Sequence, residues 1–224
     1  MNVLLIAPYI NLAVDTNLRR DDFYPSAALL HLAAVLRSNN YTPTIVDLNN
    51  ATVHNQREKY LSYCKKIIIE NLNKTKPDLV GINCLFSGVF PDVLKFAQTI
   101  KSHSPNLKIA VGGIHPTTYY KEILSNCKTI DYVAIGEGEK TIVSLAKAVE
   151  KNDDTLLNEI KSFAFRDKDQ KVKFNLQRDF VDNLDTLPMP AWDLIDISKF
   201  GMELDNHYNP KNLPLKFKSA LFSS

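Results

Sequence analysis

The chain has 224 residues, 45% of them hydrophobic and 23% charged, with a formal net charge of +2. That allows one substantial core with a small appendage, and the scattered basic residues form no stripe for nucleic acid or an anionic membrane. The three cysteines, Cys64, Cys84 and Cys127, are odd in number and far apart, and no CxxC or CxxxCxxC occurs; a disulfide framework and the usual zinc or iron–sulfur sites are excluded.

The opening MNVLLIAP has no basic segment before its apolar run, which is too short for a signal peptide or a membrane span, so a cytoplasmic protein is expected. Asn2 to Ala7 reads as a buried strand ended by Pro8, and a long polar loop follows from Tyr9 to about Tyr24. Ser26 is placed as the N-cap of a helix to about Ser38, with His31 as a packing or surface residue on it. Pro43 to Asp47 is the second strand, Asn49 to His54 a polar connection, and Glu58 to Asn73 the second helix. Leu61, Cys64, Ile67, Ile68 and Asn71 recur there at helical spacing, which puts Cys64 in the core and Lys65 and Lys66 on a solvated face.

Asp78 to Asn83 makes the third strand, and the small and polar residues Asn83 to Gly88 follow it before Pro91 opens a helix to about Ser102. Ile109 to Val111 forms the fourth strand, ending in Gly112 and Gly113 and then a His115-Pro116 turn. Two glycines strip side chains from the strand's end, so a large flat ligand or another backbone can approach the main chain. A short helix from about Thr118 to Ser125 leads to a fifth strand, Asp131 to Ile135. GEGEKT, Gly136 to Thr141, feeds a helix to about Glu150, whose positive end Glu137 and Glu139 would favour.

Five strand–helix alternations with right-handed crossovers define a doubly wound parallel sheet, most simply in the Rossmann-like or flavodoxin-like order 2-1-3-4-5. Residues 1–150 form this unit. Residues 151–224 read as a hairpin, Lys161 to Arg166 against Lys171 to Phe174 about a turn at Asp167 to Gln170, and then a linker with Pro188, Pro190 and a short turn near Trp192.

The common chemical motifs fail on spacing. Glu139 separates Gly138 from Lys140, so GEGEKT is not a phosphate-binding loop, and APYINL after the first strand has no glycine for a dinucleotide fingerprint. Asn83 and Pro8 stand where a phosphoacceptor domain needs carboxylates, and Thr16 is the only hydroxyl between Tyr9 and Phe23, too few for a flavin phosphate site. No nucleophile with a nearby base can be assembled. His115 is the sole histidine on the ligand edge; His54, His103 and His207 lie in polar stretches. The edge that remains is Pro8 and Tyr9; Asn83, Cys84, Leu85 and Ser87; Gly112, Gly113, His115 and Pro116; and Gly136, Glu137, Gly138 and Glu139. Its small groups, backbone and carboxylates suit a broad, uncharged, amide-decorated ligand better than a polyphosphate.

At this point the chain resembles the N-terminal cobalamin-binding domain of cobalamin-dependent radical S-adenosylmethionine enzymes. MNVLLIAPY, PSAALLHLAAVLRSNNYTPTIVDLN, PDLVGINCLFS, KIAVGGIHPT, DYVAIGEGEKTI and NLDTLPMPAWDLID carry the resemblance by their order and spacing. It implies a cobalamin-binding module in which Asn83, replacing a usual serine, with Leu85 two residues on, and Gly112-Gly113 surround the buried nucleotide tail. The wider family's Asp-x-His-x-x-Gly after the first strand is missing, so no lower cobalt ligand is expected from that loop. In the radical enzymes a Pro-rich linker leads into a barrel opened by CxxxCxxC, which holds a [4Fe–4S] cluster beside S-adenosylmethionine. Here LKFKSALFSS stops about where that motif should begin, which implies a truncated product that binds cobalamin without turnover, its partner barrel missing or on a separate chain. An apolar patch around Met189, Trp192 and Phe200 is then expected where the barrel would dock. The alternatives are a ligand-free interaction or regulatory domain of the same fold, or an ordinary flavin or nucleotide domain.

Overall fold

Alternate residues of the first strand serve different cores. In β1 (Asn2–Ala7), Leu4 and Ile6 pack into one apolar cluster, while Val3, Leu5 and Ala7 pack into another on the opposite face. A strand buried on both faces must be covered by helices on both, and burying each Leu or Ile contributes about 1.5–3 kcal/mol. The computed structural model describes residues 1–9, 25–48, 57–177, 180–197 and 200. The predicted loop beyond Tyr9, the connection Asn49 to His54, and His207 lie outside them.

The remaining elements are α1 (Ala27–Ser38), β2 (Thr42–Asp47), α2 (Arg57–Thr75), β3 (Leu79–Asn83), α3 (Phe90–His103), β4 (Lys108–Gly112), α4 (Ile114–Asn126), β5 (Tyr132–Ala134), α5 (Glu139–Lys151), β6 (Phe163–Arg166) and β7 (Val172–Asn175). Residues of α2, α3 and α4 line the core behind Leu4 and Ile6; residues of α1 and α5 line the core behind Val3 and Leu5. The sheet runs β2-β1-β3-β4-β5-β6-β7. Its first five strands are parallel, in the expected 2-1-3-4-5 order, with Ile6 level with Ile82 and Asn83 level with Gly112.

The hairpin corrects the five-stranded count. β6 pairs antiparallel with β5, Val133 opposite Ala164, and β7 pairs antiparallel with β6, so the sheet has seven strands. The reason is apolar: Phe163, Ala164 and Phe165 are buried, and only continuation of the sheet supplies both their hydrogen bonds and their cover.

Other predicted elements shift. Ser26 sits at the N-cap of α1, but its side chain makes no capping bond; its N–H donates to Asp47 Oδ2 at 2.6 Å instead. The buried stripe of α2 is Tyr60, Cys64, Ile68 and Leu72, with Leu61 and Ile67 at its margin. The linker is also less free than its prolines imply. Ala191 is fully buried and donates its N–H to Leu30 O at 3.1 Å, and Arg37 pairs with Asp193 at 2.6 Å. Of the expected apolar patch, Met189 is 80% exposed and Trp192 half-buried, whereas Phe200 is buried.

Candidate functional site

The strand order turns back beside β1, between β1 and β3, and in such a sheet ligands lie beyond the carboxyl ends of the strands near that reversal. Four described segments meet there: Ala7 to Tyr9, Asn83 to Ser87, Gly112 to Pro116, and Ile135 to Glu139.

The segment after β1 is anchored from α2: Tyr9 N–H donates to the Tyr60 hydroxyl at 3.1 Å, and the two rings lie 5.9 Å apart. Burial raises the Tyr60 pKa far above its ordinary value, so the phenol keeps its proton. Asp47, buried at the end of β2, fixes the entry to α1 through the Ser26 N–H. Neither residue was singled out from sequence. Their signal, a Tyr one turn before a core Cys and an Asp ending a strand, is too common to choose.

The β3 and β4 ends are bound to each other. Cys84 N–H donates to Gly112 O at 2.7 Å and His115 N–H to Cys84 O at 3.4 Å. This contact separates the two adjacent glycines. Gly113 has φ +108°, and a Cβ there would lie 2.6 Å from Cys84 O and 2.9 Å from Asn83 Oδ1. It is glycine because another part of the chain fills the space. At Gly112 a Cβ would meet nothing nearer than Ala134 Cβ at 3.6 Å, and at Gly136, φ +77°, nothing within 4 Å. Among the described residues, those two positions leave the edge less crowded than Gly113 does.

His115 and Pro116 do not form a turn. With Gly113 as N-cap they occupy the first turn of α4, where proline's missing N–H costs nothing; the helix is kinked at Tyr119, φ −114°. Pro8, Cys84 and Pro116 are buried, so they bring mainly backbone to the edge, while Tyr9, Asn83, Leu85, Gly112, Gly113, His115, Gly138 and Glu139 are half-buried and Ser87, Gly136 and Glu137 exposed. Burial pushes the Cys84 thiol up to about 12, and it lies 3.6 Å from Phe86 O; it is neither a nucleophile nor a soft metal ligand at neutral pH.

Thr117, also missed from sequence, joins the β4 and β5 loops by accepting from Gly136 N–H at 2.9 Å. Glu139 begins α5 as expected, but Glu137 lies ahead of the helix and accepts from Val181 N–H at 3.0 Å, while Lys140 Nζ donates to Phe180 O at 2.7 Å. The loop after β5 thus clasps the C-terminal segment. Phe86, Ile114 and Tyr119 stand exposed along the edge as an apolar margin. Among the described residues no cluster of three or more His, Cys, Asp or Glu is placed to hold a metal ion.

An open, doubly wound sheet with a small-residue carboxyl edge and an apolar margin defines a ligand-binding α/β domain of the flavodoxin-like class. The family model for the B12 binding domain matches residues 17–146. The chain belongs to that family.

Relatives agree. The chain is 25% identical over 203 residues to the anaerobic magnesium-protoporphyrin IX monomethyl ester cyclase of Synechocystis, covering 90% of this chain and 37% of that protein. It is 26% identical over 214 residues to the cytidylyl-2-hydroxyethylphosphonate methyltransferase of Streptomyces wedmorensis, covering 84% and 39%. The chain therefore spans under half the length of these curated relatives. Among solved structures, the cobalamin-dependent S-adenosylmethionine radical enzyme OxsB, with aqua-cobalamin and S-adenosylmethionine bound, superposes with a TM-score of 0.67 at 22% identity over 86% of this chain and 24% of that one. The radical S-adenosylmethionine methyltransferase TsrM of Kitasatospora setae superposes with a TM-score of 0.60 at 19% identity, covering 79% of this chain and 30% of that one. At such identities the superpositions establish the fold.

Proposed function

We propose that this chain holds cobalamin across the carboxyl edge of its sheet, serving as the corrinoid-positioning module of a radical S-adenosylmethionine enzyme. The observation that carries the reading is Gly112, level with Asn83 at the ends of β4 and β3: among the described residues a Cβ there would meet only Ala134, at 3.6 Å, and one at Gly136 would meet nothing within 4 Å. That arrangement fits a long, amide-bearing ligand and, among the described residues, offers few cations for a polyphosphate. Asn83, Leu85, Gly112 and Gly136 would line the path of the cofactor, with the backbone of Cys84 and Gly113 as its floor. When bound, cobalamin supplies the group-transfer or radical chemistry; the chain's own residues orient it and exclude water.

In this reading residues 1–150 are the binding unit, and the segment from 151 leads toward a barrel carrying the cluster and S-adenosylmethionine, fused or on a separate chain. Cytoplasmic location, with no nucleic-acid or membrane partner, belongs to the same reading. It is supported by a net charge of +2 and by the finding that, among the described residues, no helix is long and apolar enough to cross a membrane.

The test is to mix the purified chain with hydroxocobalamin, remove free cofactor by gel filtration, and record the visible spectrum. Co-elution with a shifted corrin spectrum, lost in Gly112→Val, is expected. Separate elution at micromolar protein, repeated with a chain extended through a cluster motif, would overturn the reading in favour of a ligand-free interaction domain.

A further inference from the structure

His115 occupies the second position of α4, and its ring lies between two others, with centroids 4.4 Å from Phe90 and 4.9 Å from Tyr119. Its Nδ1 is 2.9 Å from the hydroxyl oxygen of Ser87, so the pair spans the loops that leave β3 and β4. Its Nε2 is buried with no hydrogen-bond partner among the described residues. Ser87 is exposed on the ligand edge.

These observations select a tautomer. Burial lowers the His115 pKa below the ordinary 6.5, so at pH 7 the ring is neutral and carries one N–H. A proton on Nε2 would leave a buried donor facing no acceptor, and orphaned buried N–H groups are rare in folded proteins. A proton on Nδ1 is donated to Ser87 Oγ instead and leaves only a lone pair unused. Ser87 Oγ then accepts from the ring, which leaves its own O–H unable to donate back to His115 and available to the exposed edge.

We infer that Ser87 donates a hydrogen bond to an oxygen acceptor of the bound corrinoid, and that His115 is the positioning residue that turns the Ser87 proton outward. This rests on the cobalamin reading above. The buried Nε2 also keeps His115 from serving as a cobalt ligand as it stands. The acceptor is a peripheral amide carbonyl or a phosphate oxygen of the nucleotide tail, which share the needed chemistry.

Equilibrium dialysis with hydroxocobalamin tests the pair. Losing one hydrogen bond should make Ser87→Ala bind about fivefold to tenfold more weakly. His115→Phe should match it, and the double variant should be no weaker than either, because His115 acts only through Ser87. His115→Asn keeps a donor near the Nδ1 position and should stay within about twofold of the parent chain. The 15N shifts of the His115 ring should place the proton on Nδ1. Cobinamide, which lacks the nucleotide tail, separates the two acceptors: a Ser87→Ala effect that persists with it assigns an amide, and one that vanishes assigns the tail. Unchanged binding by Ser87→Ala, additive losses in the double variant, or a proton on Nε2 would each overturn this inference while leaving the cofactor reading intact. Failure to retain hydroxocobalamin both in the parent chain and in a chain extended through a cluster motif would overturn both. Should His115→Phe fail to fold, Ser87→Ala, His115→Asn and the ring shifts decide alone.

Discussion

The two ends of the sheet differ in what the chain has left undone. At the amino end a cleft of about 570 Å³ opens between Leu72, Asp78, His103, Lys108 and Tyr132. The polar groups around it answer one another. Asp78 accepts from Asn2 N–H at 2.8 Å, His103 Nε2 lies 3.0 Å from Asn73 Oδ1, and Asp131 accepts at 2.8 Å from both Lys101 Nζ and Ile109 N–H. At the carboxyl end, among the described residues, a Cβ at Gly112 would make only an ordinary contact and one at Gly136 none within 4 Å, Ser87 is exposed, and a buried histidine nitrogen lacks a partner. Volume alone does not mark a site. Unspent backbone and polar capacity at the strand ends does.

The largest expected effect breaks the carboxyl end itself. Gly113→Ala forces a side chain into positive φ and against Cys84 O, and should cost about 2–4 kcal/mol from strain and overpacking, read as a lower urea midpoint. Gly112→Ala should stay within about 1 kcal/mol of the parent by the same measurement, since its Cβ meets only Ala134 at an ordinary distance. Gly112→Val, not a change at Gly113, is therefore the variant that separates lost binding from lost folding. Equal losses at the two glycines would erase the distinction drawn here.

At the amino end, Asp131→Asn removes the charge that holds Lys101 and weakens the bond from Ile109. Both Lys101 and Asp131 are largely buried, at 18% side-chain exposure, and hydrogen bonds to charged groups contribute about 1.5–3 kcal/mol. We expect a stability loss of about 2 kcal/mol with hydroxocobalamin retention unchanged. Lost retention in a folded Asp131→Asn protein would move the functional site to the wrong edge.

The smallest effect is a pH dependence at the Ser87–His115 pair. The folded-state pKa of His115 lies below its ordinary 6.5 because burial disfavours the cation. Between the two values the unfolded chain binds more protons than the folded one. Stability therefore falls as pH is lowered below about 6.5 and is unaffected by this group above it. Urea midpoints should drop with acid more steeply in the parent chain than in His115→Asn; identical slopes would show that the ring is solvated.

Much of the carboxyl edge was legible in the chain. Strands ending in Pro8, Asn83, Gly112 and Ile135, each followed by helical periodicity, place four loops on one edge of a parallel sheet, since crossovers have one hand. The hairpin's attachment was not legible, because Phe163 to Phe165 reads as apolar alternation whatever strand it pairs with. Nor were Tyr60, Asp47 and Thr117, whose roles depend on partners 51, 21 and 19 residues away.

The sequence by itself determined the doubly wound class, its strand order and the family, because those depend on local periodicity and on the order of short segments. Only the tertiary structure decided that a Cβ at Gly112 would make an ordinary contact with Ala134 while one at Gly113 would clash with Cys84, that Glu137 holds Val181, and that His115 is paired with Ser87 with one nitrogen buried. Adjacent identical residues have the same propensities. Their neighbours across the sheet differ, and those contacts exist only once β3, β4 and β5 are side by side.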